Sequence, residues 1–264
     1  LILIILSLLA AFAAANVSAN DGEQKFIVSV DNVANFRFTD SGDLIEQVLM
    51  LRLAPGATLD EAMLSEHYEL SRTPLREVFQ RLAGEGYLSL ESNRGASVSS
   101  MDLATMRGFF QTAPMIYAAV ARLATEQGTP AQISALKKIQ SRFAKAVAGG
   151  RAVDMAMHNH RFHEQLGRMS ASPYLVPSLR RLLIDHTRMA QRFYRTSKTA
   201  SGQRIKKASA QHEAMIDAIE QRKAAKTVEL TLAHWELSRN EMDKYVLPDP
   251  LPIDDDSLIE ESHP

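Results

Sequence analysis

The chain contains no cysteine in its 264 residues. A disulfide framework is therefore excluded, and any bound metal has to be held by nitrogen and oxygen ligands. Excess charge is also lacking: the formal net charge is −1. Binding to a polyanion cannot rest on bulk basicity and would need a local basic edge. Apolar runs of membrane-spanning length are missing as well. The apolar stretch over residues 1–16 falls short of the roughly 20 residues a helical span requires, so no membrane partner is expected. That stretch has no initiator Met and no basic residues before it. It can be read as translated upstream or truncated sequence, as a signal or anchor, or as a helix packed on the body. The pattern that follows favours the first of these and a cytoplasmic location. No internal repeat is found, and HExxH is absent.

What the chain does have is 45% apolar residues, a globular composition, at a length sufficient for two modest domains. Residues 17–40 read as a polar extension. From residue 41 the pattern becomes ordered. The spacing of Leu44, Ile45, Val48, Leu49 and Leu51 predicts a first helix over 41–53, broken by Ala54-Pro55-Gly56. A second short helix is predicted over 58–67, with Thr58 as N-cap and Glu61 at the capping-box position. After a turn at 68–70, residues 71–85 form a third, with Ser71 as N-cap and Pro74 tolerated in the first turn. Two short alternating runs, Tyr87–Glu91 and Ala96–Ser99, flank Ser92-Asn93-Arg94-Gly95 and predict a hairpin. Three helices and a hairpin make a winged helix-turn-helix over 41–100. Residues 101–247 carry only helical patterns, about six helices over 102–127, 130–148, 151–170, 174–197, 203–221 and 224–245. This predicts an antiparallel all-helical bundle. The acidic, proline-rich residues 248–264 read as a tail. The fold class is mainly α.

In a helix-turn-helix the N-terminal residues of the second helix meet base edges in the major groove. Here those residues are Arg72, Thr73 and Arg76. Arginine forks onto guanine O6 and N7, and threonine bonds phosphate or touches a thymine methyl. Arg94 and Gly95 fall at the wing tip, where glycine lets the backbone approach DNA and arginine meets phosphate or the minor groove. Leu75, Val78, Phe79 and Leu82 take the opposite, core face. Ser71-Arg72-Thr73-Pro74-Leu75-Arg76-Glu77 and Leu82-Ala83-Gly84-Glu85-Gly86-Tyr87-Leu88, within residues 43–99, resemble the DNA-binding domain of the GntR family of bacterial transcription regulators. The resemblance assigns base and phosphate contacts to Arg72, Thr73, Arg76, Arg94 and Gly95. Some branches carry a further arginine early in the second helix; this chain has Ala62 there.

A second constellation lies in the helical half. Asn159 and His163 are one turn apart on one helix face, and His212 and His234 fall on two later helices. Such side chains can converge inside a bundle, though an individual helical histidine is more often exposed or hydrogen-bonded than a ligand. His67, His158 and His263 take that ordinary reading; His160 and His186 stay open. The run Asn159-His160-Arg161-Phe162-His163-Glu164-Gln165-Leu166, with His212-Glu213-Ala214-Met215 and His234, resembles the FadR-type C-terminal domain called FCD over about residues 103–245. That resemblance implies a divalent metal held by Asn159, His163, His212 and His234, with Zn, Ni or Mn the leading identities. Asn replaces the usual Asp, which leaves one less negative charge against the cation. Where members carry Arg and Glu on the first helix of this domain, this chain has Ala113 and Tyr117, with Pro114 between them. A carboxylate effector would then meet the metal directly, or Arg188 or Arg192, both of which can equally be surface salt-bridge residues.

The expected function is an operator-binding homodimer, a repressor by expectation, whose DNA affinity is set by a small organic-acid effector. Two alternatives stand beside it: a metal enzyme, against which no general base is found beside the ligands, and a regulator with a purely structural metal.

Overall fold

The computed structural model describes residues 42–67, 71–91, 95–195 and 199–246. The expectations for residues 1–40 and 248–264 lie outside them. The described residues are mainly helical with one small sheet. The elements are α1 (Gly42–Leu49), β1 (Thr58–Leu59), α2 (Glu61–His67), α3 (Arg72–Glu85), β2 (Leu88–Glu91), β3 (Gly95–Val98), α4 (Leu103–Gln127), α5 (Pro130–Ala148), α6 (Ala152–Met169), α7 (Leu175–Arg195), α8 (Thr199–Glu220) and α9 (Ala224–Val246). No helix among the described residues is long and apolar enough to cross a membrane.

In the winged part, α1 ends at Leu49, four residues before the predicted end. Leu51 takes a left-handed φ of 57°, and the amides of Arg52 and Leu53 turn back to donate to the Gln47 carbonyl. Leu53 is buried nonetheless: its apolar character marks the core and not a further turn of helix. The predicted capping by Thr58 is corrected. Thr58 and Leu59 form a strand that pairs antiparallel with β3, making a three-stranded sheet in the order β1-β3-β2. Asp60 caps α2 in its place, its carboxylate accepting from the amides of Ala62 and Met63 at 2.9 and 3.0 Å. Ser71 has the extended backbone of an N-cap, but its hydroxyl makes no cap bond. Gly86 closes α3 in the left-handed region at φ 90°, the conformation glycine adopts without a Cβ penalty. The predicted hairpin is β2-β3, with Leu88 opposite Val98 and Glu91 opposite Gly95.

The helical part begins at Asp102, whose side chain accepts from the Thr105 amide and caps α4. Pro114 lies inside α4, which runs on to Gln127. Thr129 and Gln132 form a reciprocal capping box at the start of α5, with Pro130 at N1. Arg222, itself left-handed at φ 55° after α8, sends its guanidinium to the C-terminal end of α4. It donates to the carbonyls of Thr125 and Gly128 at 2.6 Å each and so satisfies acceptors a helix end leaves open. α8 starts at Thr199, earlier than the predicted 203.

Two clusters form the core. One fills the bundle between α4, α5, α6, α7, α8 and α9, with Phe109, Tyr117, Leu136, Phe162, Leu183, Met215 and Trp235 among its buried members. The other is the core of the winged part, and it continues into the bundle. Val48, Leu75 and Phe79 belong to the same contiguous cluster as Phe143, Ile184, Ala190 and Tyr194. α7 is the seam. Arg188 of α7 is fully buried; its guanidinium donates to the Ser99 carbonyl at 2.9 Å and to the Ser99 hydroxyl at 2.8 Å, with Asp185 at 3.5 Å. Asp185 also takes Arg181 at 2.7 Å, and Arg181 packs against Gly86 at the end of α3.

Candidate metal centre and DNA-reading edge

Helical spacing brings the predicted histidines together. His163 comes from α6, His212 from α8 and His234 from α9, and one ring nitrogen of each lies within 4.8 Å of the others. All three are buried, as is Asn159 one turn before His163 on α6. The imidazoles are oriented from behind. Gln140 on α5 accepts from His212 Nδ1 at 3.0 Å, which leaves Nε2 of that tautomer as a lone-pair donor. Gln140 is itself anchored: its amide group donates to the Ser209 carbonyl and hydroxyl and to Glu213. Gln211 does the same for His234 Nδ1 at 3.1 Å. Phe162 stacks on His212, with ring centroids 3.8 Å apart and an interplanar angle of 11°.

The chemistry of this donor set fits a divalent ion. Asn159 Oδ1, both ring nitrogens of His163 and His212 Nε2 are buried and make no hydrogen bond. An unpaired buried polar atom costs roughly 1–3 kcal/mol; neutral His163 carries a proton on one of its two nitrogens, so three of these atoms offer lone pairs, and they are expensive unless something accepts those lone pairs. Protonation is not the remedy. Burial holds all three imidazoles in the neutral form that binds metal. For His163 and His212 desolvation is the first cause and the neighbouring histidines the second. His234 is pushed down to about 4 by desolvation. Three nitrogens and an amide oxygen suit a borderline divalent cation.

Two further histidines lie beside this centre, His186 buried and His160 partly buried. His186 of α7 shares a 2.6 Å hydrogen bond with the hydroxyl of Tyr117 on α4, and His160 shares one of 2.8 Å with Thr187. Burial lowers them to about 3 and about 4. Tyr117 also lies against His163 at 5.3 Å between ring centroids, and Trp235 lies against Tyr117 and Phe109. The side that faces α4 is thus covered by aromatic rings.

Arg188 is not in this pocket, and its expected effector role is corrected. Its guanidinium is committed to Ser99 and Asp185 at the seam with the winged part, because successive α7 residues point to different sides of the helix: His186 faces the histidines and Arg188 the wing. Arg192 falls one turn further along α7, and its side chain lies outside the described residues. Spacing alone also missed Gln140 and Gln211. For Gln140 a signal existed, a polar residue at a core position of the stripe Ile133, Leu136, Gln140, Phe143, all buried. For Gln211 there was none.

The reading edge is open to solvent. Arg72, Thr73 and Arg76 are exposed on α3, while Leu75, Phe79 and Leu82 are buried behind them. Gly95 opens β3 at φ 78°; Arg94 lies outside the described residues. Arg76 does not stand alone: its Nε donates to Glu61 Oε2 of α2 at 2.9 Å. Glu61, Arg76, Gln80, Leu90 and Gly95 line a groove between α3 and the wing.

Comparison with known proteins places these two halves. Residues 42–98 match the family model described as bacterial regulatory proteins, gntR family, and residues 110–237 match the FCD domain. Similar curated proteins include an Nta operon transcriptional regulator of Aminobacter aminovorans, 27% identical over 129 residues, which are 48% of this chain and 60% of that protein. Another is the HTH-type transcriptional repressor RspR of Escherichia coli (strain K12), 29% identical over 118 residues, 45% of this chain and 52% of that one. The alignments thus span only about half to three fifths of these relatives. Among solved structures, E. coli McbR/YncC superposes with a TM-score of 0.66 at 17% identity, over 84% of this chain and all of that one. A GntR regulator from Rhodococcus sp. RHA1 gives 0.53 at 17% identity, over 78% and 92%. At those identities the likeness speaks for the fold. Two family models, matched in sequence order over the winged part and the bundle, agree with the relatives, and none of these points to an enzyme: the chain belongs to the GntR family of bacterial transcription regulators and carries an FCD domain behind its winged helix.

Proposed function

We propose that this chain is an operator-binding repressor whose DNA affinity is set by a small organic acid bound at or beside a divalent metal. Residues 41–100 read the operator through Arg72, Thr73, Arg76, Arg94 and Gly95. Residues 101–247 hold the ion through Asn159, His163, His212 and His234. The protein acts in the cytoplasm as a homodimer, because a two-fold operator is matched by a two-fold protein. The observation that carries the reading is the cluster of buried, unpaired ligand atoms at Asn159, His163 and His212, with His234 converging on the same point, packed in a bundle whose helix α7 also grips the winged part. An effector shifts the operator equilibrium only through different affinity for the two conformations.

One observation favours a second reading, a metal that is purely structural: the centre is buried and Tyr117 lies across His163. The same experiment separates the two. Elemental analysis of the purified chain is compared with an Asn159/His163/His212/His234 alanine variant, and binding to selected operator DNA is titrated with citrate as the probe acid. About one divalent ion per chain, lost in the variant, together with a change in operator affinity on adding citrate or a related acid, supports the sensing reading. The ion without any acid response supports the structural one. A folded, DNA-binding chain without metal refutes both.

A further inference from the structure

Glu61 stands where a carboxylate is unexpected. It is on the groove beside the exposed arginines of α3, a surface that, in the reading proposed above, faces a polyanion. A negative charge there works against phosphate attraction, so its presence calls for a local partner. That partner is Arg76, fifteen residues away on the next helix, with Nε to Oε2 at 2.9 Å. The contact is one-sided in a useful way. It uses Nε, and the two terminal nitrogens of Arg76 have no hydrogen-bond partner among the described residues. The Arg76 side chain is 60% exposed, whereas that of Glu61 is 22% exposed. Glu61 is thus the fixed member. It is the first residue of α2, whose start is pinned by the Asp60 cap.

We propose that Glu61 is a specificity-determining residue that acts through Arg76; this rests on the reading of α3 as the DNA-contacting helix. An arginine reads guanine with a planar fork. A long flexible side chain has to be immobilised before it can do so, and immobilising a rotamer-rich side chain at an interface weakens binding by roughly 2- to 12-fold. Glu61 bears that cost in advance. It holds the guanidinium by its inner edge and leaves the outer edge, the one that matches O6 and N7, for the base. The carboxylate lowers general attraction to DNA and raises discrimination at a single base pair. A contact that served only the fold would have no reason to act on one base position.

The test uses the full chain, with Glu61→Ala, Glu61→Gln, Arg76→Ala and the Glu61→Ala/Arg76→Ala pair. Wild type is first used to select sequences from a random duplex pool. Competition binding then measures discrimination at each position, against an unrelated duplex, over a range of salt. Arg76→Ala is expected to lose roughly 5- to 150-fold discrimination at one position, the equivalent of one bidentate pair. Glu61→Ala is expected to lose about 2- to 12-fold at that same position and to bind unrelated DNA no more weakly than wild type. Glu61→Gln, which keeps an acceptor oxygen, recovers part of the loss. The double variant matches Arg76→Ala. Relaxation at a different base, unchanged discrimination, or tighter operator binding with unchanged selectivity in Glu61→Ala overturns the proposal while DNA reading stands. An Arg76→Ala variant with wild-type selectivity does the same. If wild type enriches no sequence, DNA reading itself fails and takes the proposal with it.

Discussion

One buried cation, Arg188, crosses the seam between the reading head and the bundle beside the shared apolar core, and its removal is the sharpest test of the architecture. Arg188 makes two short charged hydrogen bonds to Ser99 and a longer contact with Asp185. Charged hydrogen bonds are worth about 1.5–3 kcal/mol each, but the guanidinium gives up its hydration to make them. Burial lowers Arg188 to about 10, so it stays charged at neutral pH. Burial also raises the Asp185 carboxyl despite Arg181 and Arg188 beside it, so this ion pair is weak evidence for stability in itself. Breaking it is another matter. Arg188→Ala leaves a cavity, strands the Ser99 carbonyl and leaves Asp185 with Arg181 alone; about 3–5 kcal/mol is expected. Arg188→Met keeps most of the volume and removes the charge, for about 1–3 kcal/mol, the cost of the orphaned acceptor. Urea unfolding would be followed by circular dichroism and by the fluorescence of Trp235, the single tryptophan, buried in the bundle. In wild type the two signals should coincide; in Arg188→Met the tryptophan transition should lag behind the overall loss of helix. A Ser99→Ala/Arg188→Met cycle should show coupling of about 1 kcal/mol or more. Additivity within about 0.5 kcal/mol, with coincident transitions in every variant, would refute the clamp.

Other outcomes follow from the same structure. Gln140→Leu should weaken metal binding about 10- to 100-fold, read by competition with a chromogenic chelator; unchanged affinity would mean that His212 needs no support from Gln140. Metal-free protein should lose stability on acidification. His160, His186 and His234 have folded values of about 4, 3 and 4 against an unfolded value near 6.5. The unfolded chain therefore takes up protons first, and stability that is complete above pH 6.5 falls progressively towards pH 4. These three groups alone supply a slope of up to roughly 4 kcal/mol per pH unit, and His163 and His212, lowered by the same burial, add to it; a flat unfolding free energy from pH 7 to 5 would contradict the burial of these rings. Gly86→Ala puts a Cβ on a left-handed residue, 2.4 Å from Arg181 Cδ, and should cost about 1–2 kcal/mol in the urea midpoint; a neutral substitution would mean that the α3 terminus relaxes freely.

Legibility in the sequence followed locality. α3 was readable because its signals lie within fifteen residues: a cap position, a proline in the first turn, an apolar face and a closing glycine. α5 was readable from Thr129-Pro130. The histidines were readable because one turn of helix and three separate helices are visible as spacing, and because a family likeness weighted them. β1 was hidden: Thr58 and Glu61 imitate a capping box, and a two-residue strand exists only because β3, nearly forty residues on, accepts it. Arg188 stays ambiguous in the sequence for the same reason at longer range. Its partner Ser99 is 89 residues away, and an arginine on an amphipathic helix looks the same whether its face meets water, an effector or another domain. Gln140 was the intermediate case, a polar residue in an apolar stripe whose meaning depends on the histidine opposite.

The continuity of the winged core into the bundle bears on how such proteins could be rebuilt. A reading head cut near residue 100 would keep its three helices and its sheet. It would lose the bundle side chains into which its core continues and leave a raw apolar face. Transplanting it onto a foreign sensor is therefore not a matter of joining chains at a linker. The recipient has to present a helix with the same small and large side chains in the same order and with a cation aimed at Ser99. In that sense α7 belongs to both modules, and recombination that respects only the chain boundary would yield a chimera that sticks to itself before it finds DNA.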